Sequence, residues 1–514
     1  MREVGSPHSI ASLVEMFLIE GLYGYRTIGL NSQYAATILI AKNGSGKTTL
    51  LGVLDSFLNK QYSRLQNLDF ERIRCKLRGH DDELVLTPAD IASLSQLPPT
   101  SELLRVAVRY GLEPQILMDF IDNDFIYLRK IGELAENQVF DKIYKGASYN
   151  VREATKVCER IIESLRGRND NIDTISKVID SVLAGIEIVY LPTYRRIELP
   201  LNKEGPEVNP RTGRKRGIHS RLGLSGRSHF GADIQFGISD ISEKLFSLNQ
   251  EILIKSNQGY REASANIINE LINGVFDKGI DVVQSRPSKE ALTLFFSRLS
   301  EKRVAFPFGE DVVIPDIDRI YGGVTDIPSE SNKFLTYYLS KLNTVIETTQ
   351  DIERVVEEFI KNCNSYLSLE DESASIPDVP MRPRKLVEDG KVLTLDRRNL
   401  SVSVKSIVSN KTIHLDALSS GEKQMISLFA RLYLYSGRKI ILIDEPELSL
   451  SLDWQKRILL DVIKAPNCAQ VIAITHSPFV FDNELEPFAK ALHTRINMDA
   501  VEHVGNQEGD EAYE

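Results

Sequence analysis

The N-terminal part of the chain has the hydrophobic pattern of short strands. Between Met16 and Ile40, apolar runs alternate with turn residues, which predicts two or three strands leading into a glycine-rich loop. Residues 70–87 alternate apolar and polar side chains around the turn GHDD, a pattern that predicts a β-hairpin. Residues 1–87 are therefore predicted to form one lobe of an α/β domain.

The middle of the chain has helical periodicity in two places. In residues 88–185, apolar residues recur three and four positions apart, which predicts a helical insertion. Residues 186–239 open with the strand-like run IEIVYL and continue into a loop rich in glycine and basic residues. Residues 240–384 hold two helical stretches and an acidic, proline-marked linker, and the second stretch carries an apolar stripe of Leu335, Leu339, Leu342, Ile346, Ile352, Val356 and Ile360. The stripe predicts a packed arm whose apolar face is a core or a self-association surface or, alternatively, a docking surface for a partner.

A glycine-rich loop joins the strand-like run ILI (38–40) to a predicted helix. Its glycines let backbone N–H groups close around a phosphate, the lysine reaches the β- and γ-phosphate oxygens, and the first threonine can bind Mg²⁺. Ala41 stands where the motif G-x-x-x-x-G-K-[ST] begins with glycine. The candidate ATP-binding residues are Lys42, Asn43, Gly44, Ser45, Gly46, Lys47, Thr48 and Thr49.

Two later apolar runs end in chemically useful side chains. Residues 440–443 are all apolar and precede Asp444 and Glu445, as in a buried strand whose carboxyl end presents ligands. Asp444 is therefore a candidate for holding Mg²⁺ with Thr48, and Glu445 for orienting or deprotonating the attacking water. The run VIAIT precedes His476, which can hydrogen-bond the γ-phosphate; the alternative is an ordinary histidine after a strand.

The segment LSSGEKQ (418–424) opens another predicted helix just before the acidic strand. Its candidate ATP-binding residues are Ser420, Gly421 and Glu422, at a second helix start suited to an anion. In isolation the segment could be a simple capping box, with serine followed by glutamate. Two anion-binding helix starts in one chain predict an ATP sandwich, in which Ser420 and Gly421 of a second copy contact the γ-phosphate held by Lys47.

The order AKNGSGKTT, LSSGEKQ, ILIDEPEL, ITHSP is similar to that of the ABC-type ATPase heads of the SMC, RecF and OLD families. The resemblance implies an α/β fold, an ABC-type P-loop ATPase head with helical insertion arms. Residues 1–87 and 385–514 would be its lobes, and ATP and Mg²⁺ its cofactors. The insertion is too short for an SMC coiled coil, and the few dozen residues after His476 leave no room for the Toprim domain of OLD nucleases.

Three further stretches, GLYGY, YLPTYRRIE and IQFGISDI, resemble PtuA, the ATPase subunit of Septu and some retron anti-phage systems. That resemblance implies self-association and assembly with a small HNH nuclease, PtuB. In retron versions it implies a reverse transcriptase and its RNA–DNA product as well. In this family the turn after the acid pair often reads Leu-His, whereas Leu450 is followed here by Ser451.

The basic loop within residues 186–239 is a candidate for nucleic-acid or partner contact through Arg211, Arg214, Lys215 and Arg216. The alternative is a solvated loop or a contact to an acidic protein surface. Two further functions therefore remain open beside the nuclease scaffold. One is a RecF-like clamp that binds DNA itself in repair, and the other is a protein that holds ATP with almost no turnover.

The composition narrows the class of protein. The chain has 514 residues, 42% hydrophobic and 26% charged, which fits a globular protein with either two or three domains or one large head. A net charge of −10 argues against a positively charged coat for nucleic acid. We expect a cytoplasmic protein with no membrane contact, because an uninterrupted apolar stretch and a signal peptide are both lacking. The spacing of the four cysteines indicates buried or incidental thiols.

Overall fold

The computed structural model describes residues 10–42, 44–95, 101–125, 129, 134, 137–165, 169–191, 238–273, 286–300, 315–321, 329–368, 390–413 and 417–496. The chain divides into two compact units. The first combines Met1–Gln235 with Gly437–Glu514, and the second is Phe236–Ser436. The acidic strand and His476 therefore belong to the first unit, and the segment LSSGEKQ to the second.

The described strands are, in chain order, β1 (Val14–Leu22), β2 (Arg26–Asn31), β3 (Ala36–Ile40), β4 (Arg72–Leu77), β5 (Leu84–Leu86), β6 (Ile186–Leu191), β7 (Lys391–Asp396), β8 (Ser401–Ser406), β9 (Thr412–Ile413), β10 (Arg438–Asp444), β11 (Cys468–Thr475), β12 (Ala489–Ala491) and β13 (His493–Ile496). The predicted strands before the glycine-rich loop and the hairpin β4–β5 are confirmed.

The described α-helices are α1 (Lys47–Leu58), α2 (Pro88–Ser95), α3 (Glu102–Tyr110), α4 (Pro114–Asp119), α5 (Gln138–Gly146), α6 (Val151–Leu165), α7 (Asp170–Val182), α8 (Ile238–Ile272), α9 (Lys289–Ser300), α10 (Ile317–Tyr321), α11 (Ser329–Leu367), α12 (Ser420–Tyr433) and α13 (Leu452–Lys464). A π-helical turn spans Phe120–Asp124, and short 3₁₀ turns span Tyr62–Leu65, Pro478–Val480 and Glu486–Phe488.

A parallel sheet with the order β12-β3-β11-β10-β6 forms the centre of the first unit. Its middle strands are buried on both faces, as the apolar run 440–443 predicts, and Ile440 to Leu442 have no exposed surface. Because parallel strands present all their carboxyl ends at one edge, the sheet brings the ends of β3, β11 and β10 together. This edge carries the candidate site.

An antiparallel sheet, β13-β2-β1-β4-β5, completes the first unit. Gln470, a fully buried polar residue of β11, links the two sheets: its side-chain oxygen accepts from the backbone N–H groups of Leu13 and Val14 at 2.8 and 2.9 Å. The amide nitrogen of Gln470 donates to Val14 O at 3.1 Å. A buried amide with its hydrogen bonds made fixes how the sheets align.

The helices between β5 and β6 divide between two hydrophobic cores. Residues from Leu103 to Ile161 pack around each other in a core of their own. Helix α7 instead buries Ile172, Ile175 and Ile179 in the core formed by the two sheets. The described helices α2–α7 thus account for the helical periodicity of this stretch, and the last of them is part of the packing of the sheets.

The second unit includes the long helices α8 and α11, the shorter helices α9, α10 and α12, and the small sheet β7-β8-β9. The predicted apolar stripe packs inward: Leu339, Leu342 and Ile346 share a core with Ala263 of α8. A Cβ at Gly259 would lie 2.6 Å from Val345 Cγ1, so glycine allows the two helices to approach closely. The two predicted helices thus pack against each other.

No helix in the described ranges is long and apolar enough to cross a membrane. Three of the cysteines, Cys75, Cys158 and Cys363, are buried and Cys468 is half-buried, all as free thiols. Burial raises the pKa of the Cys158 and Cys468 thiols to about 12. These thiols are therefore structural, as the sequence indicates.

Candidate functional site

The glycine-rich loop between β3 and α1 has the backbone geometry of a phosphate cradle. Gly44 and Gly46 have φ of 78° and 91°, in the left-handed region that favours glycine. A Cβ at Gly46 would lie 3.1 Å from Ile28 Cδ1 and would narrow the loop. Gly46 caps α1 without a side-chain hydrogen bond, so the first-turn N–H groups of α1 can donate to an anion. Asn43 lies outside the described residues.

Two contacts join the start of α1 to the end of β10. Lys47 Nζ donates to Glu445 Oε1 at 2.5 Å, and Thr48 Oγ1 donates to Asp444 Oδ2 at 2.6 Å. Lys47 and Asp444 are almost fully buried, with exposed fractions of 7% and 2%. The structure thus brings together the four side chains that the sequence assigns to phosphate, metal and water.

Glu445 begins a tight turn after β10. Its φ is 54°, a left-handed value that is unusual for a residue with a side chain, and its N–H donates to Ile474 O at 2.8 Å. Such backbone conformations cost about 1–3 kcal/mol and cluster at functional sites. The turn directs the carboxylate of Glu445 toward Lys47, so the strain and the site coincide.

The oxygen ligands fit Mg²⁺. A threonine hydroxyl and an aspartate carboxylate 2.6 Å apart are hard donors of the kind that Mg²⁺ takes, with water and nucleotide phosphates as its other ligands. Among the described residues there is no cluster of three or more His, Cys, Asp or Glu side chains that would form an all-protein metal cage. The donor set therefore suits a metal that arrives with a nucleotide.

His476 follows β11 at the same edge of the sheet. Its Nδ1 lies 3.8 Å from Glu445 Oε1 and 3.0 Å from Glu447 Oε1, and nearly half of its side chain is exposed. Sequence reasoning did not single out Glu447, whose signal was a second acid in the segment DEPE. It likewise missed Arg26, which donates through Nη1 to Gly44 O at 3.2 Å beside the phosphate loop.

The segment LSSGEKQ forms the start of α12, as predicted. Ser419 is the N-cap, and Ser419 and Glu422 form a full capping box. Both carboxylate oxygens of Glu422 also accept from Lys391 Nζ, at 2.9 and 2.8 Å. The capping-box interpretation is thus correct, and it leaves the N–H groups of Ser420 and Gly421 in the first turn, where helix amides lack intrahelical acceptors.

Of the other sequence candidates, the structure describes Ser451 but not the basic loop. Ser451 is the N-cap of α13 and accepts from Trp454 N at 3.4 Å, so this residue starts a helix. The basic loop with Arg211, Arg214, Lys215 and Arg216 lies outside the described residues.

The chain is similar to known ATPases. The profile of the AAA ATPase domain family matches residues 15–481, which is more than half of the chain. No curated relative matches at a significant level. Similar solved structures include the Smc head domain of Pyrococcus furiosus, with an extended coiled coil and bound to the C-terminal domain of ScpA, and the Smc head domain of Pyrococcus yayanosii, with a coiled coil and joint.

The two structural similarities are distant. The first has 10% identity and a TM-score of 0.31, and the second 13% and 0.28; each covers 96% of this chain and 99% of the other. The fold assignment rests instead on the parallel sheet, the phosphate loop and the family match. The chain belongs to the AAA ATPase domain family and is a P-loop ATPase with an ABC-type α/β head.

Proposed function

We propose that the chain binds ATP and Mg²⁺ at the edge of its parallel sheet and uses hydrolysis there to control a separate nuclease. The observation that supports this site best is the pair of contacts Lys47–Glu445 and Thr48–Asp444, at 2.5 and 2.6 Å. They connect the phosphate loop to the acids at the end of β10, as hydrolysis requires.

The side chains divide the chemistry between them. Lys47 and the amides of residues 44–49 hold the phosphates, and Thr48 and Asp444 hold Mg²⁺, which neutralises phosphate charge when bound. A phosphate held by Lys47 lies beside Glu445, which orients the attacking water and accepts its proton. The exposed edge of the His476 ring contacts the γ-phosphate.

The second half of the ATP site comes from the start of α12 of another copy. Ser420 and Gly421 there supply a hydroxyl and first-turn N–H groups, which suit a γ-phosphate. Glu422, although it is in the motif, acts by holding the helix start, because its carboxylate is engaged by Ser419 and Lys391. A carboxylate would also repel phosphate. Self-association would then depend on ATP.

The regulated activity is that of a small HNH nuclease resembling PtuB, in anti-phage defence. The support is the similarity of GLYGY, YLPTYRRIE and IQFGISDI to PtuA. The first of these forms the turn between β1 and β2, where Gly21, Tyr23 and Gly24 have positive φ, so its glycines serve a defined turn. A retron reverse transcriptase with its RNA–DNA product would be a further partner.

The test is the native mass and composition of the tagged chain, purified from its own genomic locus with Mg²⁺ and ATP. A higher oligomer with a small second protein in fixed ratio is the expected result. The variant Lys47→Ala should lose the ATP-dependent part of the assembly. A bare monomer or dimer that binds DNA would instead support the RecF-like clamp, which depends on the basic loop.

A further inference from the structure

Glu447 is a buried acid beside the candidate site to which none of the four sequence motifs gives a role. Its side chain is only 5% exposed. Its Oε1 accepts from the backbone N–H of His476 at 3.1 Å and lies 3.0 Å from Nδ1 of the same residue. One carboxylate oxygen thus contacts both the main chain and the ring of the histidine.

The contact with Glu447 decides which edge of the ring faces the acid. Nδ1 of His476 lies 3.0 Å from Glu447 Oε1, so the Nδ1 edge is turned toward the carboxylate. The other nitrogen, Nε2, then lies on the opposite edge of the ring. A buried carboxylate commonly fixes the tautomer and orientation of a histidine in this way.

A phosphate oxygen only accepts hydrogen bonds, so the ring would contact it through an N–H group on the edge that is turned away from Glu447. The acids beside the Nδ1 edge are Glu447 and Glu445, and Glu445 is itself paired with Lys47. The Nε2 edge is therefore the edge left for a phosphate.

The main chain around Glu447 is held in place from the next helix. Gln455 of α13 donates through Nε2 to Glu447 O at 3.3 Å and to Leu450 O at 3.0 Å. Its Oε1 accepts from Ser477 Oγ at 3.0 Å, one residue after His476. The acid turn and the histidine turn are therefore connected twice, by Glu447 and by Gln455.

The other oxygen of Glu447 argues against a purely structural role. Oε2 is buried and has no hydrogen-bond donor among the described residues. A half-satisfied buried carboxylate costs free energy of folding, so stability alone does not favour an acid at this position. Functional selection explains such a residue better than packing does.

We propose that Glu447 is a positioning residue for ATP hydrolysis, which holds the Nδ1 edge of His476 against itself and so presents the Nε2 edge to the γ-phosphate. This role rests on the phosphate contact proposed above for His476. Glu447 itself touches neither the nucleotide nor the water; it acts through the ring.

Steady-state ATP turnover of the full chain tests the proposal with four variants. His476→Ala should lower kcat, and Glu447→Ala should lower kcat by about 10-fold to 100-fold with little change in KM. Glu447→Gln keeps an acceptor oxygen and should recover most of that loss. The double variant His476→Ala with Glu447→Ala should be no slower than His476→Ala alone. Glu484→Ala, on an exposed turn of the same unit, is the control and should behave as wild type.

The outcomes distinguish the role proposed for His476 from the role proposed for Glu447. If His476→Ala turns over ATP like wild type, the phosphate contact of His476 is wrong. If His476→Ala lowers kcat and the double variant lowers it further by the full factor seen for Glu447→Ala alone, the positioning role of Glu447 is wrong. The positioning role is also wrong if Glu447→Ala keeps a normal kcat. Should Glu447→Ala fold poorly, ¹⁵N-histidine NMR decides: the ring signals of His476 should differ between the wild type and Glu447→Gln, and identical signals would overturn the proposal because Glu447 would then not hold the ring.

Discussion

The phosphate loop and the start of α12 are both anion-binding helix starts, but their polar partners come from different distances along the chain. Lys47 and Thr48 contact acids 398 and 396 positions away. Ser419 and Glu422 cap each other within four residues, and Lys391 reaches Glu422 from 31 positions away. The first site exists only once the parallel sheet has formed, whereas the second is built largely from local sequence.

This difference bears on how the two halves would work. At the phosphate loop, side chains with opposite charges meet, so the region holds both groups suited to binding phosphate and a carboxylate suited to orienting the water that attacks it. At the start of α12, the acidic side chain is already engaged and the helix offers main-chain donors and a serine. In the proposed ATP sandwich, one region is thus suited to chemistry and the other to recognition of a phosphate that another copy holds.

The largest expected effect tests the phosphate loop and the acids that contact it. Glu445→Gln removes the proton acceptor and should lower kcat for ATP by about 100-fold or more, because general-base groups contribute that much. ATP binding should persist, and ATP-dependent self-association should become longer-lived because hydrolysis no longer ends it. Turnover and native mass measure both effects, with Glu484→Gln as the control. A variant with normal turnover would mean that Glu445 is not the base and that another group accepts the proton.

A smaller effect is expected in the unit that carries α12. Arg298 is buried, pairs with Glu353 at 2.6 Å and donates through Nε to Arg397 O at 3.0 Å, so it links α9, α11 and the β7–β8 turn. Removing one partner of a buried pair leaves an uncompensated charge. Arg298→Ala should therefore lower the free energy of unfolding of this unit by about 3 kcal/mol.

Urea denaturation measures this loss. The matched control is Arg354→Ala on α11, whose partner Asp351 is largely exposed and whose ion pair is expected to contribute little. Equal stability of the two variants would mean that the stability of the unit that carries α12 does not depend on the buried arginine. ATP binding at the phosphate loop should remain in both variants, since that loop belongs to the other unit.

The sequence was sufficient where a strong pattern coincided with a local structure. The buried strand before Asp444, the loop before Lys47 and the helix after Ser419 were all predicted in position and type. Each is defined by residues that are close in sequence: an apolar run, paired glycines, or a serine followed by a glutamate. Hydrophobic periodicity likewise predicted both long helices of the second unit.

The sequence was insufficient where a polar residue takes its partner from a distant segment. Gln470 stands alone in an apolar strand, which marks it as unusual, but its partners at Leu13 and Val14 follow from sheet order. Lys391 and Arg298 have no such local signal, and Glu447 has only its place as the second acid in DEPE, because their roles depend on which strand ends and turns become neighbours. The basic loop stays a prediction, as do the domain boundaries.

The smallest expected effect tests the start of α12 directly. Lys391 holds Glu422 through both carboxylate oxygens, with 24% and 15% of the two side chains exposed. Since a partly exposed ion pair contributes about 1 kcal/mol, Lys391→Ala should weaken ATP-dependent self-association by about fivefold. ATP binding by the single chain should be unchanged, because the phosphate loop keeps its own contacts. Lys411→Ala, exposed in the turn before β9, is the control. Weaker ATP binding with normal self-association would contradict the role proposed for the start of α12, because Lys391 would then act on the nucleotide bound by its own chain.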